Sequence, residues 1–190
     1  LAAVRRALPA GDPLGQAPEW LALRAAQRLV PLGGRAVPLL LRALADGRMG
    51  KDDGPRRASV AQALAARAGS APKDERETIH AALAAALGTD DAVVRAAAAR
   101  ALGLCQAKER AADLQLALTT ATGAERLAVS EALGMLGSED ALEPLAADPD
   151  PTVRATVAQH VTRAATLLTL LNDTDPRISV IAGARLGVLG

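Results

Sequence analysis

Along this chain, short blocks of apolar residues at the i, i+3, i+4 spacing of a helix alternate with brief polar segments that contain glycine or proline. Two kinds of block take turns. The first kind opens on an aspartate and closes on an aliphatic residue. It is seen in "KDDGPRRASVAQALA" from Lys51, "DDAVVRAAAARALG" (90–103), "PDPTVRATVAQHVT" (149–162) and "TDPRISVIAGARLG" (174–187). These segments align without gaps, which puts Asp53, Asp91, Asp150 and Asp175 in one column. Four positions later stand Arg57, Arg95, Arg154 and, as an exception, Ser179; seven beyond those come Leu64, Leu102, Val161 and Leu186. A fifth copy, "TGAERLAVSEALG" (122–134), keeps Arg126, Leu133 and Gly134 but has Thr122 in the aspartate column. An older copy is read in "EWLALRAAQRLVPLGG" (19–34).

The second kind of block follows each first one. It appears as "RAVPLLLRALAD" from Arg35, "KDERETIHAALAAAL" from Lys73, "KERAADLQLALTTA" from Lys108, "EDALEPLAAD" from Glu139 and "RAATLLTLLND" from Arg163. Between the two lie turns such as "LGLCQA" and "MLGSED", suited to helix C-termini. The unit is helix, turn, helix, and one such pair cannot bury its apolar faces alone. The pattern therefore predicts an all-α fold, an α-solenoid (superhelix) of about five to six stacked antiparallel helix pairs. Residues 19–190 form the array. Residues 1–18 read as the tail of a preceding helix followed by a Pro/Gly linker, "PAGDPLGQAP". The final block has no second helix and no polar cap, so the array is expected to belong to a longer chain.

Composition agrees with helices. Alanine is the commonest residue, Phe and Tyr are absent, and Trp20 is the only aromatic, read either as a core filler of the first pair or as an exposed anchor. With 22 basic and 21 acidic residues, the net charge of +1 supplies no global field for nucleic acid or an acidic membrane. Cys105 has no disulfide partner and reads as a small buried side chain, which fits a reducing, cytoplasmic location. No apolar run reaches the length of a membrane helix.

The candidate chemistry concentrates in "DPDPTVRATVAQH" (148–160), where two carboxylates, an arginine and a histidine crowd together as in an acid/base or metal site. Alignment with the other copies changes that picture. An aspartate at a helix start accepts hydrogen bonds from exposed backbone N–H groups, and Pro151 and Pro176 suit the first helical position. An arginine in a first turn is disfavoured by the helix dipole, so its recurrence calls for a partner. Its own aspartate or that of the adjacent repeat would serve. Asp53, Arg57, Asp91, Arg95, Arg126, Asp150, Arg154 and Asp175 are accordingly read as a structural ladder. Arg95→Ala is expected to lower thermal stability.

Glu77 and His80 have the Glu-x-x-His spacing of a di-iron helix, but no second copy exists, and His80 reads as a solvated residue. Neither Ser59 nor Ser130 sits in a nucleophile elbow, and no phosphate loop of the Walker kind occurs. No catalytic residue, metal or cofactor is assigned.

A first helix that opens Asp-Pro-x-Val-Arg and closes Leu-Gly resembles the short HEAT-like repeats of the type also found in phycobilisome lyases, over about residues 19–190. The resemblance implies protein binding on a curved face and no particular reaction. A HEAT-like hydroxylase, deoxyhypusine hydroxylase, holds iron through His-Glu dipeptides; here the dipeptides are His80-Ala81 and His160-Val161. HEAT-like DNA glycosylases use basic concave surfaces, whereas the second blocks here carry mixed charge and lack aromatic platforms. The expectation is a non-catalytic scaffold whose partner is another protein rather than nucleic acid or membrane. The second helices should line the binding face, with Arg35, Arg42, Glu75, Arg76, Glu109, Arg110 and Glu143 exposed there. The alternatives are an accessory enzyme of the lyase or oxidoreductase kind and a nucleic-acid-binding module.

Overall fold

The computed structural model describes residues 34–45 and 54–189. Trp20, Asp53, the linker at 9–18 and most of the older copy at 19–34 lie outside the described residues. Ten α-helices run through the described part: α1 (Val37–Ala45), α2 (Gly54–Ala68), α3 (Lys73–Ala86), α4 (Ala92–Leu104), α5 (Ala111–Leu118), α6 (Gly123–Leu136), α7 (Glu139–Leu142), α8 (Pro151–His160), α9 (Ala164–Leu171) and α10 (Pro176–Leu189). No strand occurs among the described residues.

Three members of the aspartate column cap their helices. Asp91 accepts hydrogen bonds from the N–H groups of Val93 (2.9 Å) and Val94 (3.4 Å), Asp150 from Thr152 (2.8 Å) and Asp175 from Arg177 (2.9 Å). Thr122, the exception, makes no side-chain cap to α6. Two second blocks are less regular than the periodicity suggests. Lys108–Arg110 forms a 3₁₀ turn before α5, and α7 passes into a 3₁₀ stretch over Glu143–Ala147. In the latter, Pro144 has no N–H to give to an α-helical ladder. The turn "MLGSED" closes α6 with Gly137 in the left-handed region, where the Ser138 N–H reaches the Leu133 carbonyl at 3.0 Å. In "LGLCQA" the left-handed residue is Gln106 (φ 55°), not a glycine, and Gly103 lies buried inside α4.

The chain divides into two compact units, residues 1–105 and 106–190. In the first, α2 packs on α4 while α1 packs on α3, so first helices meet first helices and second meet second. The buried residues of α2 and α4 are mostly alanine, including Ala61, Ala63, Ala65, Ala68, Ala97, Ala98, Ala99 and Ala101. Small side chains let helix axes approach closely, which explains why so alanine-rich a sequence still makes a dense core. In the second unit α8 packs between α6 and α10, and α9 packs on α10 and on the 3₁₀ stretch. Here too the second helices contribute single leucine stripes, Leu142 and Leu145 or Leu167 and Leu170, and leave their other faces to solvent.

Candidate protein-binding surface

The arginine column is built into the joints between helices. Each arginine starts its own helix yet lies at the end of the preceding one, where carbonyls are unsatisfied and the dipole favours a cation. Arg57 Nε donates to the Leu44 carbonyl near the end of α1 (2.8 Å), and Arg126 Nη1 to Leu118, the last residue of α5 (3.1 Å). Arg95 Nη1 and Arg154 Nη1 each reach the carbonyl six residues earlier, on Thr89 (2.7 Å) and Asp148 (2.9 Å). Ser179 repeats that six-residue bond to Asp173 (3.3 Å), so the apparent exception keeps the role with a shorter side chain.

Two arginines also tie one repeat to the next, through aspartates the alignment did not single out. Arg154 grips Asp173 through two hydrogen bonds, Nε–Oδ2 at 2.7 Å and Nη2–Oδ1 at 2.9 Å. Arg126 donates to Asp148 Oδ2 at 2.7 Å. Asp148 and Asp173 lie two residues before the capping aspartates, and each also accepts the N–H of its cap, Asp150 (2.9 Å) or Asp175 (2.8 Å). Of the two pairings left open, with its own aspartate or with that of the adjacent repeat, Arg154 takes the second direction, but it meets Asp173, the first aspartate of an Asp-x-Asp pair, and not the column member Asp175. The signal was visible in "DPDP" and "DTDP", whereas the other three copies have Lys51, Thr89 and Thr120 in that place. The Arg154 guanidinium holds the Asp173 carboxyl below the usual range, and the Thr152 hydroxyl does so for Asp150.

The histidines separate from the carboxylates that suggested a metal site. His80 is buried, contrary to the solvated reading, because with Leu83 and Leu87 it forms the i, i+3, i+7 stripe that α3 turns inward. Glu77 stays exposed, with Lys73 at 3.8 Å. Among the described residues no three His, Cys, Asp or Glu side chains cluster as metal ligands. Cys105 is half-buried rather than fully enclosed.

His160 packs its ring against Gly134 of α6, where a Cβ would lie 2.5 Å from ring carbons Cγ and Cδ2 and 2.9 Å from the histidine Cβ. Burial and then the nearby Arg185 push the imidazole below its usual value, partly opposed by Glu131. A histidine whose folded-state value is lowered binds its proton more readily when unfolded. Stability should therefore fall as pH drops below about 6.5 and level off once the folded-state value has been passed. Melting temperatures at pH 7.5 and 5.5 are expected to differ less in His160→Gln than in the parent.

The positions expected to face a partner differ in how far they are committed. In the first unit Arg35, Arg42 and Arg76 are exposed, but Glu75 lies half-buried against Arg67 at 2.6 Å. In the second unit Glu109 is exposed, Arg110 lies 3.7 Å from Asp113, and Glu143 holds Arg163 together with Asp140. A further surface was not foreseen. A groove of about 340 Å³ crosses the first helices of the second unit, with Leu127, Ala155, Ile178 and Ile181 among its apolar walls and Glu131 and Arg177 among its polar ones. Among the described residues no helix is long and apolar enough to cross a membrane.

Residues 79–162 match the family described as HEAT repeats. No curated protein matches the sequence. Three solved structures are similar over nearly all of the chain. One, the complex of CpcE and CpcF of phycocyanin lyase from Nostoc sp. PCC7120, shares 24% identity at a TM-score of 0.59, covering 96% of this chain and 80% of that one. An engineered protein shares 17% identity at 0.55, covering 98% and 94%. A designed armadillo repeat protein shares 14% at 0.51, covering 100% and 99%. Helix order, repeat signature and these likenesses agree: the chain has the all-α HEAT/armadillo-like repeat solenoid fold.

Proposed function

We propose that this chain is a non-catalytic scaffold or adaptor that binds another protein. What carries the reading is the engagement of its recurrent polar residues. The aspartates that looked like general acids cap helices or hold arginines, and the arginines close helix ends and join repeats. Side chains committed in this way hold the stack together, and recognition falls to the positions that vary between repeats. Among these, Arg35, Arg42, Arg76 and Glu109 stand exposed on or beside second helices. The fold is also found in the CpcE and CpcF complex, where two proteins assemble.

The test is capture of a partner by the full chain, identification of that partner, and then reversal of the exposed charges. Arg42→Glu combined with Arg76→Glu is expected to weaken capture with an unchanged melting temperature. Iron or a bilin bound to the purified protein, together with turnover, would replace this reading by an accessory enzyme. Duplex DNA binding that falls steeply with salt would replace it by a nucleic-acid module.

A further inference from the structure

The C-terminal end of α8 is closed from a neighbouring helix. Val161 follows α8 directly, and its carbonyl accepts a hydrogen bond from Nη2 of Arg185 on α10 at 3.3 Å. The Nε of the same guanidinium is buried without a hydrogen-bond partner among the described residues. His160, the last residue of α8, lies near it with its ring on Gly134 of α6. The C-terminal end of a helix favours a cation. Arg185 already holds that place, so a proton on His160 sets a second cation against it. The groups around the ring leave this conflict standing. Glu131 of α6 favours the proton, but burial and Arg185 outweigh it. Glu143 of the 3₁₀ stretch is bound to Arg163, Glu139 of α7 accepts the Thr162 N–H at 2.8 Å, and α9 carries no titratable side chain.

We infer that His160 and Arg185 form an acid-sensitive latch between α8 and α10: protonation of His160 frees Arg185 from the Val161 carbonyl, and α10 parts from α8 while α6 and α8 stay packed. The position of α10 suits such a release. It packs on α8 and α9, and Val180 and Val188 are exposed on its surface at 71% and 79%. Local opening of this kind draws on the elements with the fewest buried contacts. Ile178 and Ile181 of α10 also stand among the walls of the groove, so the latch sets the shape of that surface. The latch does not depend on the scaffold reading; it places the stability lost in acid at one joint rather than across the fold.

The test is backbone amide exchange of the full chain at pH 7.5 and 5.0, with each rate divided by its intrinsic value at that pH. In the parent, protection of the α10 amides is expected to fall about threefold or more in acid relative to the α6 amides. His160→Gln, which keeps a polar side chain but takes up no proton, should hold the two helices level. Arg185→Gln removes the opposing charge and should blunt the response, whereas Arg185→Lys keeps the charge and should preserve it. Circular dichroism at pH 7.5 checks that each variant is folded. Level protection in the parent, equal losses in α6 and α10, or a response in His160→Gln as large as in the parent would each overturn the latch.

Discussion

Arg154→Ala is expected to cost the fold about 3 kcal/mol, the loss typical when one member of a largely buried ion pair is removed. For a chain of this length that corresponds to a melting temperature roughly 6–12 °C lower. The reason lies in what stays behind. Asp173 is 6% exposed at its side chain, so without Arg154 its carboxylate remains desolvated with only the Asp175 N–H and the Thr174 hydroxyl as neutral partners, and the Asp148 carbonyl loses its donor as well. Arg163 makes a useful contrast. It meets three carboxylates, from Glu139, Asp140 and Glu143, but is 43% exposed, and Arg163→Ala should lower the melting temperature far less than Arg154→Ala. Burial, not the number of partners, sets the order. Acid titration supplies a second reading of the same pair. The Asp173 carboxyl is held below its ordinary 3.8, so its contribution is complete above that pH and is lost as pH falls through the folded-state value. Arg154→Ala should flatten that part of the acid limb. A melting temperature within a degree of the parent would show that the pair does not hold the repeats together.

Gly134→Ala is expected to destabilise the protein, although the same change inside a helix ordinarily gains about 1 kcal/mol. The new methyl would meet the His160 ring at 2.5 Å and the histidine Cβ at 2.9 Å. A ring can rotate, but a Cβ moves only with its backbone, so α8 itself must shift away from α6. Overpacking of this kind costs about 1–3 kcal/mol and outweighs the helix propensity. In a His160→Ala background the two ring contacts at 2.5 Å are gone while the Cβ contact at 2.9 Å stays, so the same glycine replacement should cost distinctly less. Chemical unfolding of the four variants of this cycle gives the coupling directly. Additive effects would mean that the histidine does not define the space at Gly134.

These two positions mark the limit of what could be read along the chain. Gly134 was legible only as the closing residue of a repeat copy, just ahead of the turn read in "MLGSED". In the structure α6 runs past it to Leu136, the turn is made by Gly137, and Gly134 is needed for a neighbour 26 positions away. Arg154 was legible as a recurrent residue that wanted a partner. Which partner it takes, Asp173 in the next repeat, depends on how successive first helices are offset when they stack.

What the sequence determined by itself is therefore the local part of the protein. Helix positions, aspartate caps, proline entries and the order of first and second helices follow from interactions within about four residues, and spacing encodes those directly. The tertiary structure decided the rest: which aspartates Arg126 and Arg154 hold, why His80 is buried, and where His160 lies. Each of these depends on residues brought together from different helices, and their meeting is set by packing register, which no single repeat records.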